Sequence, residues 1–310
     1  MSDNHSNSEN NNQESLPPGF RILFYELIQK LGRGAFGIAY LALDTQRNCP
    51  VVLKEYFPIN DALRMGAETQ VSVISSSKQS DFDEGLRYFR REAQLLGEFN
   101  HPNVVKVIGL FDANNTAYFV MEHVEGQLLQ DKLEDLSRPF TEAEIQRDFL
   151  PILNGLQAVH DKGILHLDIK PDNILTSKYG QPRLIDFGVA CYATEQALDL
   201  WDYYNSMLFS SWCYAPAERY SLKQQLTPAT DIYAVGMTLY KLMAPSVELP
   251  SSRDRQTELI DGFADPLPPI RDVAKGYSDV LYRVVEACTQ TSKLKRPQTV
   301  AEVQQMLGGF

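Results

Sequence analysis

The N-terminal part of the chain alternates between short apolar runs and polar or glycine-rich breaks, a pattern that predicts β-strands. There are five such runs. One lies between residue 20 and the first cluster of glycines, and the others lie at 38–43, 51–54, 104–107 and 118–121. One segment has a different period, because Phe89, Leu96 and Phe99 are spaced as on one face of a helix. The pattern therefore predicts a β-rich first part that contains one amphipathic helix.

Helical patterns dominate the rest of the chain. Thr141 followed by Glu144 forms a capping-box pattern, which marks a helix start. An apolar stripe continues from there through Ile145, Phe149, Ile152, Leu156 and Val159. Pro151 lies inside this stripe, so we expect one long helix with a kink. A second capping-box pattern, Thr299 with Glu302, predicts a final helix.

The polar N-terminus separates from the rest of the chain by composition. Residues 1 to about 16 are almost without apolar side chains and cannot offset the entropy cost of ordering. Together with the following Pro-Pro-Gly they predict a disordered tail at residues 1–19. The remaining residues, 20–310, are enough for a sizeable core or for two lobes.

Composition excludes several classes of function. The chain of 310 residues has a formal net charge of −11, which argues against a nucleic-acid or anionic-membrane surface. Its four cysteines are far apart, without the spacing of zinc ligands or a redox pair, which predicts reduced thiols. No apolar run reaches the roughly 18 residues of a membrane-spanning helix, and the N-terminus lacks a signal peptide's apolar core. We therefore expect a cytoplasmic protein without a membrane anchor.

One polar run between two apolar ones carries the clearest candidate chemistry. Residues 166–173 read His-Leu-Asp-Ile-Lys-Pro-Asp-Asn, with an Ile-Leu pair on either side. Asp168 can accept a proton, Lys170 can neutralise phosphate charge, and Asn173 offers an amide oxygen to a hard cation. Asp186, the first residue of Asp-Phe-Gly, follows Asn173 by 13 positions (186 − 173). These two oxygen ligands predict a metal–phosphate site.

A second candidate site lies in the β-rich part. Residues 32–37 read Gly-Arg-Gly-Ala-Phe-Gly, and such glycines let backbone amides approach phosphate oxygens. A dinucleotide-binding turn has similar glycines but should open a helix, whereas a strand follows here. Lys54 ends the next strand and shares a face with Val52. Glu92 lies in the helical apolar stripe, where a carboxylate needs a partner, and Lys54 is the candidate.

Taken in order, these motifs resemble those of eukaryotic-like (Hanks-type) Ser/Thr protein kinases. His-x-Asp-x-Lys-x-x-Asn followed by Asp-Phe-Gly is similar to the catalytic loop and metal-binding turn of that family. Residues 54–58, Lys-Glu-Tyr-Phe-Pro, resemble the start of an insertion in a bacterial branch. The resemblance implies an α+β, bilobal protein-kinase fold. Its small β-rich N-lobe would span about 20–124, and its larger, mostly helical C-lobe about 125–310.

The resemblance also implies roles for individual residues. Asp168 and Lys170 would be catalytic, and Asn173 and Asp186 would hold the metal. The positions implied in ATP binding are Leu31, Gly32, Arg33, Gly34, Ala35, Phe36, Gly37, Ala39, Val52, Lys54, Glu92, Met121, Glu122, Val124 and Leu175. The positions implied in substrate docking or its support are Ser211, Glu218, Asp231 and Arg296. Among these, Glu218 should pair with Arg296, while Asp231 should brace the catalytic loop.

Three departures from the family pattern stand out. Ala39 and Val52 have the reverse of the usual sizes, which suggests a volume-conserving swap beside the adenine. Leu167 replaces the Arg that normally reads a phosphorylated activation segment, so we expect activity without phosphorylation of residues 190–211. Lys54 and Glu92 are 38 residues apart (92 − 54), well beyond the compact family pattern. The excess, about 56–83, is an insertion that is as compatible with surface decoration as with regulation.

The implied activity is transfer of the γ-phosphoryl group of Mg-ATP to Ser or Thr hydroxyls of proteins, together with autophosphorylation in signalling. Lys170, two positions after Asp168, is typical of Ser/Thr rather than tyrosine kinases. ATP with Mg²⁺, or Mn²⁺, would be the cofactors, and protein substrates and a cognate phosphatase the partners. Two alternatives stay open: a pseudokinase that acts as a binding module, and a small-molecule phosphotransferase. The sequence leaves the physiological substrate and the oligomeric state open.

Overall fold

The computed structural model describes residues 15–64, 69–136, 138–193, 212–221 and 224–308. These residues divide into two units. The first unit comprises the described residues up to Phe99 together with Lys106–His123, and the second comprises the rest. The first unit thus ends at His123, and the segment Asn100–Val105 belongs to the second unit.

Hydrogen bonds explain why this short segment belongs to the second unit. The Val105 N–H donates to the carbonyl of Leu184 over 2.9 Å. The side-chain amide of Asn103 donates to the carbonyl of Pro182 over 2.8 Å. Apolar side chains at residues 104–107 predicted a strand, but the strand begins only at Val107.

The first unit is built on one antiparallel sheet. Its elements are β1 (Arg21–Ile22), β2 (Tyr25–Arg33), β3 (Gly37–Asp44), β4 (Cys49–Tyr56), β5 (Ala62–Leu63), β6 (Ser72–Val73), a 3₁₀ turn (Ser76–Lys78), α1 (Gln79–Gly97), β7 (Val107–Ala113) and β8 (Thr116–Glu122). The sheet order is β1-β2-β3-β4-β8-β7, and β5 pairs only with β6. Four of the five predicted strands and the predicted helix are present, the run at 104–107 overlaps β7 only at Val107, and β1, β5 and β6 are additions.

Both faces of this sheet are covered by protein. Helix α1 lies on one face, where the Phe89 ring is 4.8 Å from the Phe119 ring and 5.5 Å from the Tyr56 ring. On the other face, Tyr40 pairs across strands with Leu53 and is fully buried. The residues of β3 and β4 thus alternate between two buried faces, as period-two patterns require.

The ordered part of the chain begins earlier than the predicted tail allows. Leu16 is only 3% exposed, and its N–H donates to the Tyr40 hydroxyl over 3.1 Å. Residues 15–19 therefore belong to the folded part rather than to the predicted tail at 1–19. The burial of Leu16, its backbone hydrogen bond and a further bond from the Gly19 N–H to the Leu27 carbonyl, over 2.7 Å, hold this short segment on the sheet.

The second unit is mostly helical. Its strands are β9 (Gly126–Leu128), β10 (Ile164–Leu165), β11 (Ile174–Ser177), β12 (Pro182–Leu184) and β13 (Cys191–Tyr192). Its helices are α2 (Leu129–Leu136), α3 (Glu142–Asp148), α4 (Ile152–Asp161), α5 (Pro228–Met243), α6 (Ser252–Ile260), α7 (Ile270–Val273), α8 (Asp279–Cys288) and α9 (Val300–Met306), with 3₁₀ turns at Pro171–Asn173, Ala217–Tyr220 and Lys293–Lys295. Within the described part of the chain, no helix is long and apolar enough to cross a membrane.

Helix α5 lies at the centre of this unit. Nearly all of its residues are buried, including Ile232, Val235 and Leu239. It packs closely on α8, because a Cβ added at Gly236 would lie 2.6 Å from the Cβ of Cys288. The buried start of α5 matters for the site, since it carries Asp231.

The long kinked helix expected after residue 140 is two helices. Helix α3 ends at Asp148, and α4 begins at Ile152 directly after Pro151. A proline ring removes one N–H donor and clashes with the carbonyl four residues earlier, so the chain breaks here instead of bending. The capping box is as predicted, because Thr141 Oγ1 accepts from the Glu144 N–H and the Glu144 carboxylate accepts from the Thr141 N–H.

Candidate active site

The charged pair predicted in the β-rich part is present. Lys54 on β4 and Glu92 on α1 form an ion pair with an Nζ–Oε1 distance of 2.7 Å. Glu92 is 4% exposed, so its carboxylate depends on this partner. Lys54 Nζ also lies 5.3 Å from the centre of the Phe119 ring. The ammonium group is thereby held on the sheet face that α1 covers.

Residues expected beside the adenine lie near this lysine. Ala39 is directly opposite Lys54, and Val52 is directly opposite Met121. Directly opposed residues of antiparallel strands point to the same face. Ala39 and Val52 are thus diagonal neighbours on one face, as a volume-conserving swap requires. Contact of both with adenine stays a prediction.

Other positions were predicted to contact the nucleotide base. Some of them belong to the first unit and some to the second. Leu31 lies on β2 with an exposed side chain. Glu122 closes β8, where its N–H donates to the Lys106 carbonyl over 3.0 Å. Val124 and Leu175 belong to the second unit, and Leu175 pairs with Leu128 on β9.

The glycine-rich residues 32–37 comprise the end of β2, the turn that follows it and the first residue of β3, and we refer to them together as the glycine-rich turn. The Gly34 N–H donates to the Gly37 carbonyl over 2.9 Å. A Cβ at Gly37 would lie 2.2 Å from the Glu55 carbonyl oxygen, so only glycine fits there. Around Gly32 and Gly34, no described atom lies within 4 Å of an added Cβ. The open space at these two glycines is where a phosphate group can approach the backbone.

The polar run of the second unit is the loop between β10 and β11. Asp231 lies beneath it and is fully buried. Its carboxylate accepts the N–H groups of His166, over 2.9 Å, and Leu167, over 2.7 Å. His160 Nε2 is 2.8 Å from the same carboxylate. Burial alone would raise the pKa of Asp231, but these hydrogen bonds outweigh it and lower the pKa. Asp231 therefore braces the loop backbone as an anion.

The two candidate catalytic side chains and one candidate metal ligand meet within this loop. Lys170 Nζ lies 3.1 Å from Asp168 Oδ2. The amide nitrogen of Asn173 donates to the same Oδ2 over 2.7 Å and to the Asp168 carbonyl over 2.8 Å. The amide oxygen of Asn173 is the end that this arrangement leaves for a cation. The loop thus presents one carboxylate, one ammonium group and one amide oxygen together.

Asp186 is brought next to this loop by β-pairing. Ile174 on β11 is opposite Leu184 on β12, and the Ile185 N–H donates to the Asn173 carbonyl over 3.0 Å. Asp186 has a left-handed backbone with φ of 63°, and its carboxylate accepts the Gly188 N–H over 3.2 Å. Such a conformation is unusual for a residue other than glycine and marks a constrained position.

Asn173 and Asp186 fit Mg²⁺ better than a cation that needs a protein cage. Across the described residues, no group of three or more His, Cys, Asp or Glu side chains could hold a metal ion. Mg²⁺ keeps several waters and binds through one or two carboxylates plus substrate phosphates. A pair of oxygen ligands at the end of the β11–β12 pair matches that requirement.

His166 holds the start of the loop without carrying charge. It is fully buried, its Nδ1 accepts the Asp168 N–H over 3.3 Å, and its ring lies 4.6 Å from the Phe187 ring. Burial lowers the pKa of His166, although neighbouring carboxylates oppose the shift. A neutral imidazole is therefore part of the core beneath the loop.

The ion pair predicted between Glu218 and Arg296 is also present in the second unit. The Arg296 guanidinium forms two hydrogen bonds with the Glu218 carboxylate, over 2.6 and 3.1 Å. Both side chains are buried. Ser211 lies outside the described residues, as does most of the expected activation segment, so its predicted role stays a prediction.

Comparison with known proteins assigns these features to one family. Residues 25–307 match the protein kinase domain family. The chain belongs to this family. It is 28% identical over 292 residues to the serine/threonine-protein kinase PknD of Chlamydia muridarum, a match that covers 84% of this chain and 29% of that protein. It is 30% identical over 242 residues to the probable serine/threonine-protein kinase PknB of Bifidobacterium longum, which covers 74% of this chain and 31% of that protein.

A solved structure supports the same fold. The chain matches PpkA-294 in its apo form with a TM-score of 0.81 and 31% identity, over 95% of this chain and 99% of that chain. The expected kinase fold and the resemblance to bacterial Ser/Thr protein kinases are thereby confirmed. The chain spans less than half the length of the curated relatives it matches.

One buried cluster in the β-rich unit was not among the motifs predicted from sequence. Glu55, next to Lys54, is fully buried and accepts hydrogen bonds from Tyr40 over 2.9 Å, from Arg64 over 2.5 Å and from Tyr118. Burial raises the pKa of Glu55, while Arg64 and the two hydroxyls oppose the shift. A signal was present, because Glu55 continues the alternation of buried positions on β4 where an apolar residue is expected.

Proposed function

We propose that this kinase-family chain is an ATP-dependent Ser/Thr protein kinase. It transfers the γ-phosphoryl group of Mg-ATP to Ser and Thr hydroxyls of proteins, including its own. The observation that carries the proposal is the contact of Asp168, Lys170 and Asn173 within one braced loop. A proton acceptor, a cation for phosphate charge and a metal ligand are the groups that phosphoryl transfer requires.

Asp168 and Lys170 act at the reacting atoms in this proposal. Asp168 accepts the proton of the substrate hydroxyl, or orients that hydroxyl for attack on the γ-phosphorus. Lys170, 3.1 Å from Asp168, donates to the transferred phosphoryl group and stabilises the negative charge on it. Because Asp231 fixes the two loop amides before Asp168, little reorganisation is needed when substrate binds.

ATP and Mg²⁺ are used generally in the protein kinase family, and the residues present here suit both. Lys54, oriented by Glu92, would bind the α- and β-phosphates, and the glycine-rich turn would cover them. Asn173 and Asp186 would hold Mg²⁺, which neutralises phosphate charge when it is bound. Mn²⁺ prefers similar oxygen ligands and would fit the same positions.

Protein substrates fit this chain better than small alcohols. The buried pair of Glu218 and Arg296 fixes the 3₁₀ turn Ala217–Tyr220 to the helical unit. In the kinase pattern this pair supports a segment that docks peptides, which a small alcohol would not need. We include a phosphatase that reverses the modification, and a cytoplasmic location, in the proposal.

The test compares phosphoryl transfer by wild type, Asp168→Asn and Asp172→Asn, from γ-labelled Mg-ATP to the protein itself and to a generic basic protein. Asp172 is the matched control, because it is an exposed carboxylate on the same loop. We expect Asp168→Asn to lower the rate about 100-fold or more, since general base catalysis contributes 10²–10⁴-fold. Asp172→Asn should stay within about threefold of wild type, a change of less than 1 kcal/mol in barrier.

The product and the binding step distinguish the alternatives. Labelled phosphoserine or phosphothreonine that is lost only in Asp168→Asn supports the proposal. Binding of Mg-ATP by wild type without any transfer would indicate a pseudokinase. Transfer to small alcohols in preference to any protein would indicate a small-molecule phosphotransferase.

A further inference from the structure

The start of the insertion, residues 57–64, lies directly against the glycine-rich turn. The Phe57 N–H donates to the Phe36 carbonyl over 2.9 Å, and the Ile59 N–H donates to the Ala35 carbonyl over 3.0 Å. These bonds continue the pairing of β3 with β4 beyond the ends of both strands. We refer to residues 57–64 as the anchor segment.

Side chains of the anchor segment reinforce the two backbone bonds. The Phe57 ring is fully buried, with the Arg33 guanidinium 5.4 Å and the Arg64 guanidinium 4.9 Å from its centre. Arg33 belongs to the glycine-rich turn and Arg64 to the anchor segment. Cations over an aromatic ring are attracted by the negative face of the ring, most strongly when they are desolvated. The turn is thus held by stacking as well as by hydrogen bonds.

The anchor segment also contacts β4, which carries Lys54, and the residue directly before α1, the helix that carries Glu92. Arg64 donates to Glu55, the residue that follows Lys54 on β4. Asp61 is buried and forms an ion pair with Lys78, over 3.1 Å, in the turn that precedes α1. One short segment therefore contacts the glycine-rich turn, β4 and the start of α1.

We propose that the anchor segment positions the glycine-rich turn for the phosphates of ATP, so that the turn is ordered before the nucleotide binds. The proposal rests on the proposed kinase function, because it assigns ATP as the ligand of the turn. A glycine-rich turn loses conformational entropy when it orders around a phosphate. Ordering it in advance removes that cost from binding. The insertion would then be part of the phosphate site and not surface decoration.

The clearest test removes one hydrogen bond at an exposed position. Ile59 is 47% exposed, so its side chain contributes little to the core. Ile59→Pro removes the N–H that donates to the Ala35 carbonyl, and Ile59→Ala shortens the side chain but keeps that N–H. We expect Ile59→Pro to weaken Mg-ATP binding about 2- to 10-fold, the effect of one net hydrogen bond. Ile59→Ala should bind Mg-ATP as wild type does.

Adenosine serves as the second ligand, because it lacks the phosphates that the turn would bind. Calorimetry should give equal adenosine affinities for wild type, Ile59→Ala and Ile59→Pro. In steady-state assays Ile59→Pro should raise the KM for ATP with little change in kcat. Equal loss of ATP and adenosine affinity would overturn the proposal, since that result would indicate general damage. Unchanged ATP affinity in Ile59→Pro would overturn it too.

Two further measurements cover the case in which Ile59→Pro does not fold. Phe57→Leu fills the apolar site and keeps the backbone bond, but it removes the ring from between Arg33 and Arg64. This variant should also lose affinity for Mg-ATP and not for adenosine. In nucleotide-free wild type, the Phe57 and Ile59 amides should exchange with deuterium slowly. Fast exchange at both amides would overturn the proposal.

Failure of the anchor and failure of the kinase function give different results. If wild type binds no Mg-ATP, both proposals are wrong. If wild type binds Mg-ATP and transfers phosphate while Ile59→Pro and Phe57→Leu behave as wild type, only the anchor proposal is wrong.

Discussion

All three guanidinium nitrogens of Arg296 donate hydrogen bonds within the second unit. Two go to the Glu218 carboxylate, and others go to the carbonyls of Gln290, Ala229 and Thr291. Removal of one partner of such a pair leaves the other charge buried and uncompensated. At the residue scale, the stability of this unit therefore depends on Arg296 more than on an exposed ion pair.

We predict that Arg296→Met destabilises the protein by about 3–5 kcal/mol, the usual cost of breaking a buried ion pair. Arg296→Lys keeps the charge but not the planar guanidinium group. Its loss of stability should therefore be smaller than that of Arg296→Met. Urea unfolding of the three proteins at pH 7 measures both differences. As a control, Arg87→Met removes an exposed arginine whose ion pair with Glu84 lies at the surface, and it should change stability by less than about 1 kcal/mol. A loss below 1 kcal/mol for Arg296→Met would contradict the prediction.

The partners of some buried charges could be predicted from sequence, and those of others could not. The family pattern offers Glu92 one side chain of opposite charge. Lys54 could therefore be predicted as its partner. Glu55 is held mainly by Arg64 and by tyrosine hydroxyls, including that of Tyr118. A hydroxyl donor leaves no charge pattern in a sequence, and Arg64 lies in an irregular segment. The alternation on β4 indicated that Glu55 is buried, but its partners were visible only in the structure.

Helix α3 depends on a first turn in which one carboxylate has several partners. The Glu144 carboxylate accepts from the Arg138 guanidinium over 2.9 and 3.0 Å, and from the N–H and hydroxyl of Thr141. Hydrogen bonds from Arg138 are the main cause that lowers the pKa of Glu144 from its ordinary 4.5 to about 2. The ionised form of Glu144 therefore stabilises the folded state.

We predict that Glu144→Gln destabilises the protein in a pH-dependent way. The folded pKa of Glu144 lies below its unfolded value, so the stabilisation is complete above about pH 4.5 and is lost as the pH falls towards 2. Urea unfolding at pH 7, 5 and 4 should give the same difference between wild type and variant at pH 7 and 5. At pH 4 the difference should be smaller.

Thr141→Ala is the matched control for this pH dependence. It removes the capping hydroxyl, at a cost of about 1 kcal/mol, but no titrating group. The loss in free energy of unfolding caused by Thr141→Ala should change less with pH than the loss caused by Glu144→Gln. A difference for Glu144→Gln that grows as the pH falls would contradict the direction of the pKa shift.

At the scale of elements, long periodic segments were predictable and short ones were not. Helix α1 extends over 19 residues, and its apolar stripe identified both the helix and Glu92. Strands β1, β5 and β6 have two residues each, too few to show a period. The helix break at Pro151 was predicted only as a kink, because sequence does not show whether neighbouring packing will support a bent helix.

At the scale of the whole molecule, the sequence predicted the fold from its motifs better than it predicted which segments cover the sheet. The order of the glycine turn, Lys54, Asp168 and Asp186 predicted the protein kinase fold, which the family match confirms. Leu16 and Arg64 showed no periodic pattern, yet both contact side chains on the sheet face opposite Lys54. Coverage of a sheet by irregular segments depends on contacts between residues distant in sequence, which periodicity does not report.

We expect regulation of the whole molecule to depend on Leu167, in the loop between β10 and β11. Leu167 has a left-handed backbone with φ of 65°, its N–H donates to Asp231, and its side chain is buried. The kinase pattern has an arginine here, which reads phosphate on the activation segment. A buried leucine has no hydrogen-bond donor for phosphate. A phosphate on the activation segment would therefore make no contact with this side chain.

We predict that phosphatase-treated wild type and autophosphorylated wild type differ in kcat/KM by less than about tenfold, or 1.4 kcal/mol in barrier. Leu167→Arg should be less active without phosphate, because it buries a cation that lacks a partner, and should regain activity on phosphorylation. Leu167→Met conserves volume and should behave as wild type. A wild type that gains more than tenfold on phosphorylation of residues 190–211 would show that another cation reads the phosphate in place of the missing arginine.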